Sequence, residues 1–274
     1  MYVKSKWASL DQNVLIVKKY HTLRAMPQSM AIKERRAPKR FASSVAQEDA
    51  NRRLKHERIN RQILDNFRVG DWYMTLTFNT YHVPKTEQEA KAVLEKFKRD
   101  LRRLFRKRGR ELKYISIIEN IRGRGRVHVH MMIPALPRHD ITALEELWPH
   151  GHINIASYKA KAEDAYRLAK YFVKLDAKET SSPVMTSHNL ITTLPQKEIV
   201  SRAETYSDVD KPPKGYRVVK NLSYAGYTQG GNPNSGYPYR VTVYERNTDS
   251  SEHAAPRHGP ARRANKKQKS RRKK

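Results

Sequence analysis

Residues 113–133 read KYISIIENIRGRGRVHVHMMI. Two apolar, β-branched runs flank a turn of glycine and arginine, the pattern of an antiparallel hairpin. This hairpin constrains the fold more than any other feature, because side chains alternate across a strand. Val127, Val129 and Met131 point to one face, into a core. His128 and His130 point to the other. The partner strand then brings Glu119 beside the histidines. Two imidazoles and a carboxylate can hold one divalent ion. Oxygen ligands suit Mg²⁺ or Mn²⁺, and imidazole tilts the choice toward Mn²⁺. Taken alone, such a pair is more often two surface histidines on a half-exposed strand, and Glu119 a solvated strand end.

The neighbouring elements extend the hairpin into a sheet. Asp71–Phe78 alternates as a strand. TEQEAKAVLEKFKRDLRRLFRKRG has apolar residues at helical spacing, a capping box of Thr86 and Glu89, and Gly109 as its stop. Asp140 is placed to cap the short helix ITALEELW. HINIA reads as a fourth strand, and residues 161–175 as another helix. The order predicts an α+β fold, a βαββαβ core with an antiparallel sheet, helices mainly on one face and the other face open for a site. The expected organisation is a basic arm over 1–42 and a domain over 43–176, with a polar helix (43–66) ahead of a core at 70–176. An extension (177–245) follows, and a disordered basic tail (246–274) ends the chain. Within the extension, SSPVMTSHNLITTLP reads as loop and KEIVSRAETY as a short helix. YRVVKNL and YRVTVYE read as a hairpin around YAGYTQGGNPNSGYP.

Charge and composition narrow the partner. The 274 residues carry 56 Lys+Arg against 27 Asp+Glu, a net charge of +29. Such an excess points to a polyanion, nucleic acid before anionic membrane, since no stretch is long and apolar enough to span a bilayer. There is no apolar signal-peptide region at the start. With no cysteine in the chain, disulfides, Cys-based zinc sites and thiol nucleophiles are excluded. A cytoplasmic location fits. No GxxxxGK[ST] run is present, so no attached helicase is expected.

AYRLAKYFVK supplies a nucleophile. Tyr171 and Lys174 are three residues apart and share a helix face; Tyr166 and Lys170, four apart, share another. The tyrosines are five residues apart, which turns them roughly 140° from one another, so one site does not use both. A phenol can attack a phosphodiester and become covalently linked to DNA. Its ordinary pKa near 10 requires activation, and Lys174 is placed to stabilise the phenolate or the scissile phosphate. Arg122, Arg124 and Arg126 in the hairpin turn are ready to meet phosphate.

Together these pieces resemble the HUH endonucleases, specifically the rolling-circle replication initiators of small phages and plasmids. MTLTF (Met74–Phe78) resembles the first motif, GRVHVHMMI the histidine–hydrophobe–histidine motif, and AKYFVK the YxxK motif. LWPHGHINI resembles the phage branch. The match covers roughly residues 70–176. The resemblance implies His128 and His130 as metal ligands, Glu119 as the acid completing the site, and Tyr171 as nucleophile. Tyr166 is the reserve, since Arg167 stands where two-tyrosine members carry another. It further implies a metal-dependent nickase and ligase with a 5′-phosphotyrosine intermediate. Its substrate would be single-stranded or hairpin origin DNA, with host helicase and polymerase as partners. Arg122, Arg124, Arg126 and Lys170 would hold the DNA. A single-tyrosine HUH transposase or relaxase is the neighbouring alternative, although a relaxase usually carries its tyrosine ahead of the histidines. A non-catalytic basic nucleic-acid-binding protein on the same sheet is the other. His150 and His152 form a second HxH, read as a decoy at a loop-to-strand junction. Tyr224, Tyr227, Tyr237 and Tyr239 are candidates for base stacking or for ordinary loop packing.

Overall fold

Residues 2–21, expected to belong to an irregular basic arm, are strands. In the computed structural model, β1 (Tyr2–Ala8) and β2 (Val14–His21) pair antiparallel. Val3, Ser5 and Trp7 are buried and alternate with Lys4 and Lys6. In β2 the consecutive Lys18 and Lys19 put a lysine on each face, which hides the strand in the sequence. Lys19 is itself buried, donating from Nζ to the Glu204 carbonyl at 3.0 Å. The structure describes residues 1–22, 45–123, 125–178, 180–206, 211–227 and 236–247. The rest of the expected arm, nearly all of the expected tail and Arg124 lie outside them.

The next elements are α1 (Val45–Asn66), β3 (Trp72–Thr77), α2 (Glu87–Lys107), β4 (Ile115–Glu119), β5 (His128–Ile133), α3 (Ile141–Glu146), β6 (Ile153–Ser157) and α4 (Ala162–Asp176). The fold class is α+β as expected. The strands form an antiparallel sheet in the order β6-β3-β5-β4-β7. Its last member, β7 (Met185–Thr186), is a two-residue strand inside the stretch expected to be loop. It pairs with Ile115 and Ser116.

Helix α2 begins as its capping box predicts. Thr86 Oγ1 accepts from the Glu89 N–H at 3.1 Å, and the Glu89 carboxylate reaches back to the Lys85 N–H at 2.7 Å. Gly109, at φ +66°, ends it. Asp140 does not cap α3, contrary to expectation. It is buried, and its carboxylate takes the Arg108 guanidinium at the end of α2, with Nε at 2.8 Å. A two-pronged charged bond satisfies a buried carboxylate better than the amides of a six-residue helix can.

Leu94, Phe97, Leu101 and Phe105 of α2 pack with Leu144 of α3 against Met74, Leu76, Val129 and Met131 on one face of this sheet. Each such fully buried Leu or Phe contributes about 1.5–3 kcal/mol. The opposite face is less open than expected. Tyr73, Ile115, Ile117 and Met132 meet Ala165, Ala169 and Phe172 of α4, with Ile59 and Ile63 of α1 alongside. At the polar end of that face Thr75, Thr77 and His128 stay partly exposed.

A second sheet lies beyond. It adds β8 (Gln196–Val200), β9 (Tyr216–Val218), β10 (Tyr224–Tyr227) and β11 (Pro238–Arg246) to the N-terminal pair. The order is β10-β11-β2-β1-β8, with β9 also on β11. KEIVSRAETY is not one helix. Its first half is β8, paired with β1, and only α5 (Arg202–Tyr206) is helical. β9 pairs with β11 as the expected hairpin would, but β10, expected within the loop, takes the rest of the same edge. Trp7, Val14 and Val243 join this sheet to α1 and α4 in one core. Among the described residues no helix is long and apolar enough to cross a membrane.

Candidate metal centre and active site

Strand register builds the site. Thr75, His130 and Ile117 form one row across β3, β5 and β4; two residues on, Thr77, His128 and Glu119 form the next. Alternation sends both rows to the face that α4 covers in part. Glu119 Oε2 lies 2.9 Å from His128 Nε2 and 3.1 Å from His130 Nε2. One ligand atom from each of the three residues falls within 4.8 Å of the other two. The far nitrogens are held by oxygens. His128 Nδ1 faces the Arg126 carbonyl at 2.9 Å; His130 Nδ1 faces the Tyr73 hydroxyl at 2.9 Å and Thr75 Oγ1 at 3.3 Å. The Arg126 carbonyl can only accept, so His128 carries its proton on Nδ1 and turns its Nε2 lone pair to an ion; the hydroxyls at His130 can accept in the same way when an ion sits at its Nε2. Two imidazole nitrogens and one carboxylate oxygen therefore fit a divalent cation.

The turn after Glu119 is built around Asn120, which adopts φ +60°. Its Nδ2 donates to the Arg126 carbonyl at 3.2 Å, the same oxygen that holds His128. A Cβ on Gly125 would come within 2.7 Å of that Nδ2, so a larger residue there would push the Asn120 amide aside. The turn thus fixes a ligand's neighbour at each end.

The electrostatics favour the ligand forms. Burial pushes the Glu119 carboxyl up, but its hydrogen bonds with His130 and Lys178 and the nearby imidazoles outweigh this and leave it below the usual range. His130 is held below the ordinary imidazole range by burial, against the pull of Glu119. It is therefore neutral near pH 7. The Tyr171 phenol is pushed up by burial and by the Glu119 charge, so it keeps its proton unless a cation is near.

Tyr171 is brought to the centre. Its hydroxyl lies 3.1 Å from His130 Nε2 and 3.4 Å from Glu119 Oε2, and its ring stands edge-on to that of His130. Tyr166 is not: its ring packs on His56 of α1 at 4.5 Å between centroids. Lys174 and Lys170 are exposed on α4. The cation that reaches the triad is Lys178, whose Nζ donates to Glu119 Oε1 at 3.2 Å. The sequence reading missed it because it lies past the helix end; its seven-residue spacing from Tyr171, about two helical turns, was the available signal. Arg122 is exposed and paired with Glu87, and Arg126 is exposed. His150 and His152 serve the fold. Their carbonyls accept from the N–H groups of Asn79 and Thr77, and the His150 ring packs on Trp148. A Cβ on Gly151 between them would strike the Thr77 carbonyl at 2.2 Å.

Fold and site define an α+β protein with a His–His–Glu cluster suited to a divalent ion and a tyrosine hydroxyl against it. Residues 71–176 match the family model of the replication-associated protein ORF2. This match supports a replication initiator, over less than half of the chain. It contains Glu119, His128, His130, Tyr171 and Lys174, and omits Lys178, α1 and the second sheet. No curated protein and no solved structure matches the chain.

Proposed function

We propose that the protein is a metal-dependent single-strand DNA endonuclease and strand transferase that initiates rolling-circle replication. The observation that carries this is the Tyr171 hydroxyl at 3.1 Å from a ligand nitrogen of the Glu119–His128–His130 cluster, inside the stretch similar to replication-associated proteins. Tyr171 Oη attacks the scissile phosphorus and loses its proton. The bond from phosphorus to the 3′ oxygen breaks, that oxygen takes a proton, and a 5′-phosphotyrosine remains. Return of a 3′-OH reverses the step, so the phosphoester bond is conserved and no nucleotide is consumed. A divalent ion held by the Nε2 atoms of His128 and His130 and by Glu119, Mn²⁺ or Mg²⁺, would polarise the phosphate and favour the phenolate. Lys178 pairs with Glu119 and offsets part of its charge. In this reading Lys174, one turn from Tyr171, meets the scissile phosphate, and Lys170, Arg122, Arg124 and Arg126 meet the flanking backbone. The freed 3′-OH would prime a host polymerase behind a host helicase.

The test is a denaturing gel of the protein incubated with Mn²⁺ and labelled single-stranded origin DNA. The expected result is a metal-dependent protein–DNA adduct, lost in Tyr171→Phe and kept in Tyr166→Phe. Tight binding without any adduct or cleavage would instead identify a nucleic-acid-binding protein that performs no chemistry.

A further inference from the structure

Helix α4 has a second working side. Tyr171 turns to the metal centre, and Tyr166 turns roughly 140° away, toward α1. There the N-terminal half of α1 is poorly covered. Leu54 is 63% exposed, whereas Ile59 and Ile63 are fully buried. Beside it a groove of about 640 Å³ runs between α1, α4 and the second sheet, within the usual range for ligand sites. Its floor is apolar, from Ile16, Val241 and Val243 of the sheet and Val173 of α4. Lys18, Arg52, Arg53, Lys170, Lys174 and Lys178 line its walls. Glu57 is the one carboxylate among the lining residues, and it is paired with Lys18.

Two further observations specify the occupant. Tyr166 and Tyr224, residues 36% and 53% exposed, line the groove. Asn60, buried in the same lining, has its amide oxygen without a hydrogen-bond partner among the described residues. Buried acceptors are ordinarily satisfied, which makes this one an exception in the groove's lining. Past Tyr224 the groove continues into a hollow of about 830 Å³ that adds Tyr20, Tyr239 and Arg240. At its other end Lys178 lines the groove and bonds Glu119, so a single side chain links the groove to the metal centre. None of α1, β2, β10 or β11 lies in the stretch that matches the family model.

We propose that this groove binds the single-stranded DNA leading to or from the metal centre, with bases on Tyr224 and Tyr166 and phosphates on the surrounding cations. Cations beside exposed rings over an apolar floor suit a flexible polyanion that carries flat apolar groups, which is a single nucleic-acid strand. An acidic peptide offers the charge without the rings. The strand's role as substrate rests on the proposed nickase function; its binding needs no metal.

The experiment measures oligo(dT) binding to the full chain in EDTA across a salt series, with Tyr224→Ala and Arg52→Ala/Arg53→Ala. All three side chains are exposed, and thermal melts matching wild type would exclude misfolding. Tyr224→Ala is expected to weaken binding at least about fivefold. The double arginine variant is expected to reduce the salt slope by about 1.4, at about 0.7 per phosphate contact. Photo-crosslinking with 5-iododeoxyuridine is expected to label Tyr224 or Tyr166. Unchanged affinity and slope in both variants, with crosslinks only elsewhere, would overturn the proposal. A protein that binds through this groove but forms no adduct with origin DNA would retain the groove and remove the nickase. An adduct formed while both variants bind like wild type would do the opposite.

Discussion

One face of the five-stranded sheet contains two environments. In the row Tyr73–Met132–Ile115 the side chains are packed under α4 and α1. Four residues along the same strands, roughly 13 Å by strand rise, the row Thr77–His128–Glu119 carries the metal-binding groups. The row between mixes the two kinds, with Ile117 beside His130 and Thr75. The apolar end fixes the register that the polar end requires, because a one-residue slip would turn both histidines into the α2 core. Helix α4 repeats the division in adjacent residues. Phe172 is fully buried, while Tyr171 is half-buried with its hydroxyl at the centre.

Substitutions at these two neighbours test the division most sharply. Tyr171→Phe should lower adduct formation by at least about a thousandfold, as loss of a nucleophile does. It should change unfolding free energy by only about 1 kcal/mol, the worth of a hydrogen bond. Phe172→Ala should do the reverse, costing about 3–5 kcal/mol in urea unfolding. If Tyr171→Phe proved as destabilising as Phe172→Ala, the polar end would be part of the core and the division would fail. Next in size, His130→Ala should weaken Mn²⁺ binding at least about tenfold by calorimetry. Ile117→Ala, its neighbour in the same row, should cost about 2–5 kcal/mol of stability and leave Mn²⁺ binding by the folded protein within about twofold.

The polar end was largely legible in the sequence and the second sheet was not, for physical reasons. Alternation through Val127–Met131 and the short turn after Glu119 set the faces before any tertiary contact is known. The capping box at Thr86 and Glu89 did the same for α2. In β2, by contrast, Lys18 and Lys19 are consecutive, and Lys19 is buried on a carbonyl supplied from the distant α5. β8 has four exposed residues of five, so it shows no buried face to detect. The covering of the sheet's second face by α1 is a tertiary choice. Of the thin apolar stripe in its sequence, Val45 and Leu54 are exposed, and the later Ile59, Ile63 and Leu64 are buried.

The smallest effect concerns Lys178, which joins the polar end to the groove. Its Nζ neutralises Glu119 Oε1 and competes with a cation for the same carboxylate. Its side chain is 44% exposed, so solvent screens the interaction to roughly 1 kcal/mol or less. Lys178→Ala should therefore tighten Mn²⁺ binding by about two- to fivefold. It should also lower the salt slope of single-strand binding by about 0.7, one phosphate contact. The opposite signs matter. A residue that merely supported the Glu119 turn would weaken both metal and DNA binding on removal. Calorimetry with Mn²⁺ and a salt titration with oligo(dT) on the same variant separate these cases. Weaker Mn²⁺ binding would place Lys178 in the turn's scaffold and not between the two sites.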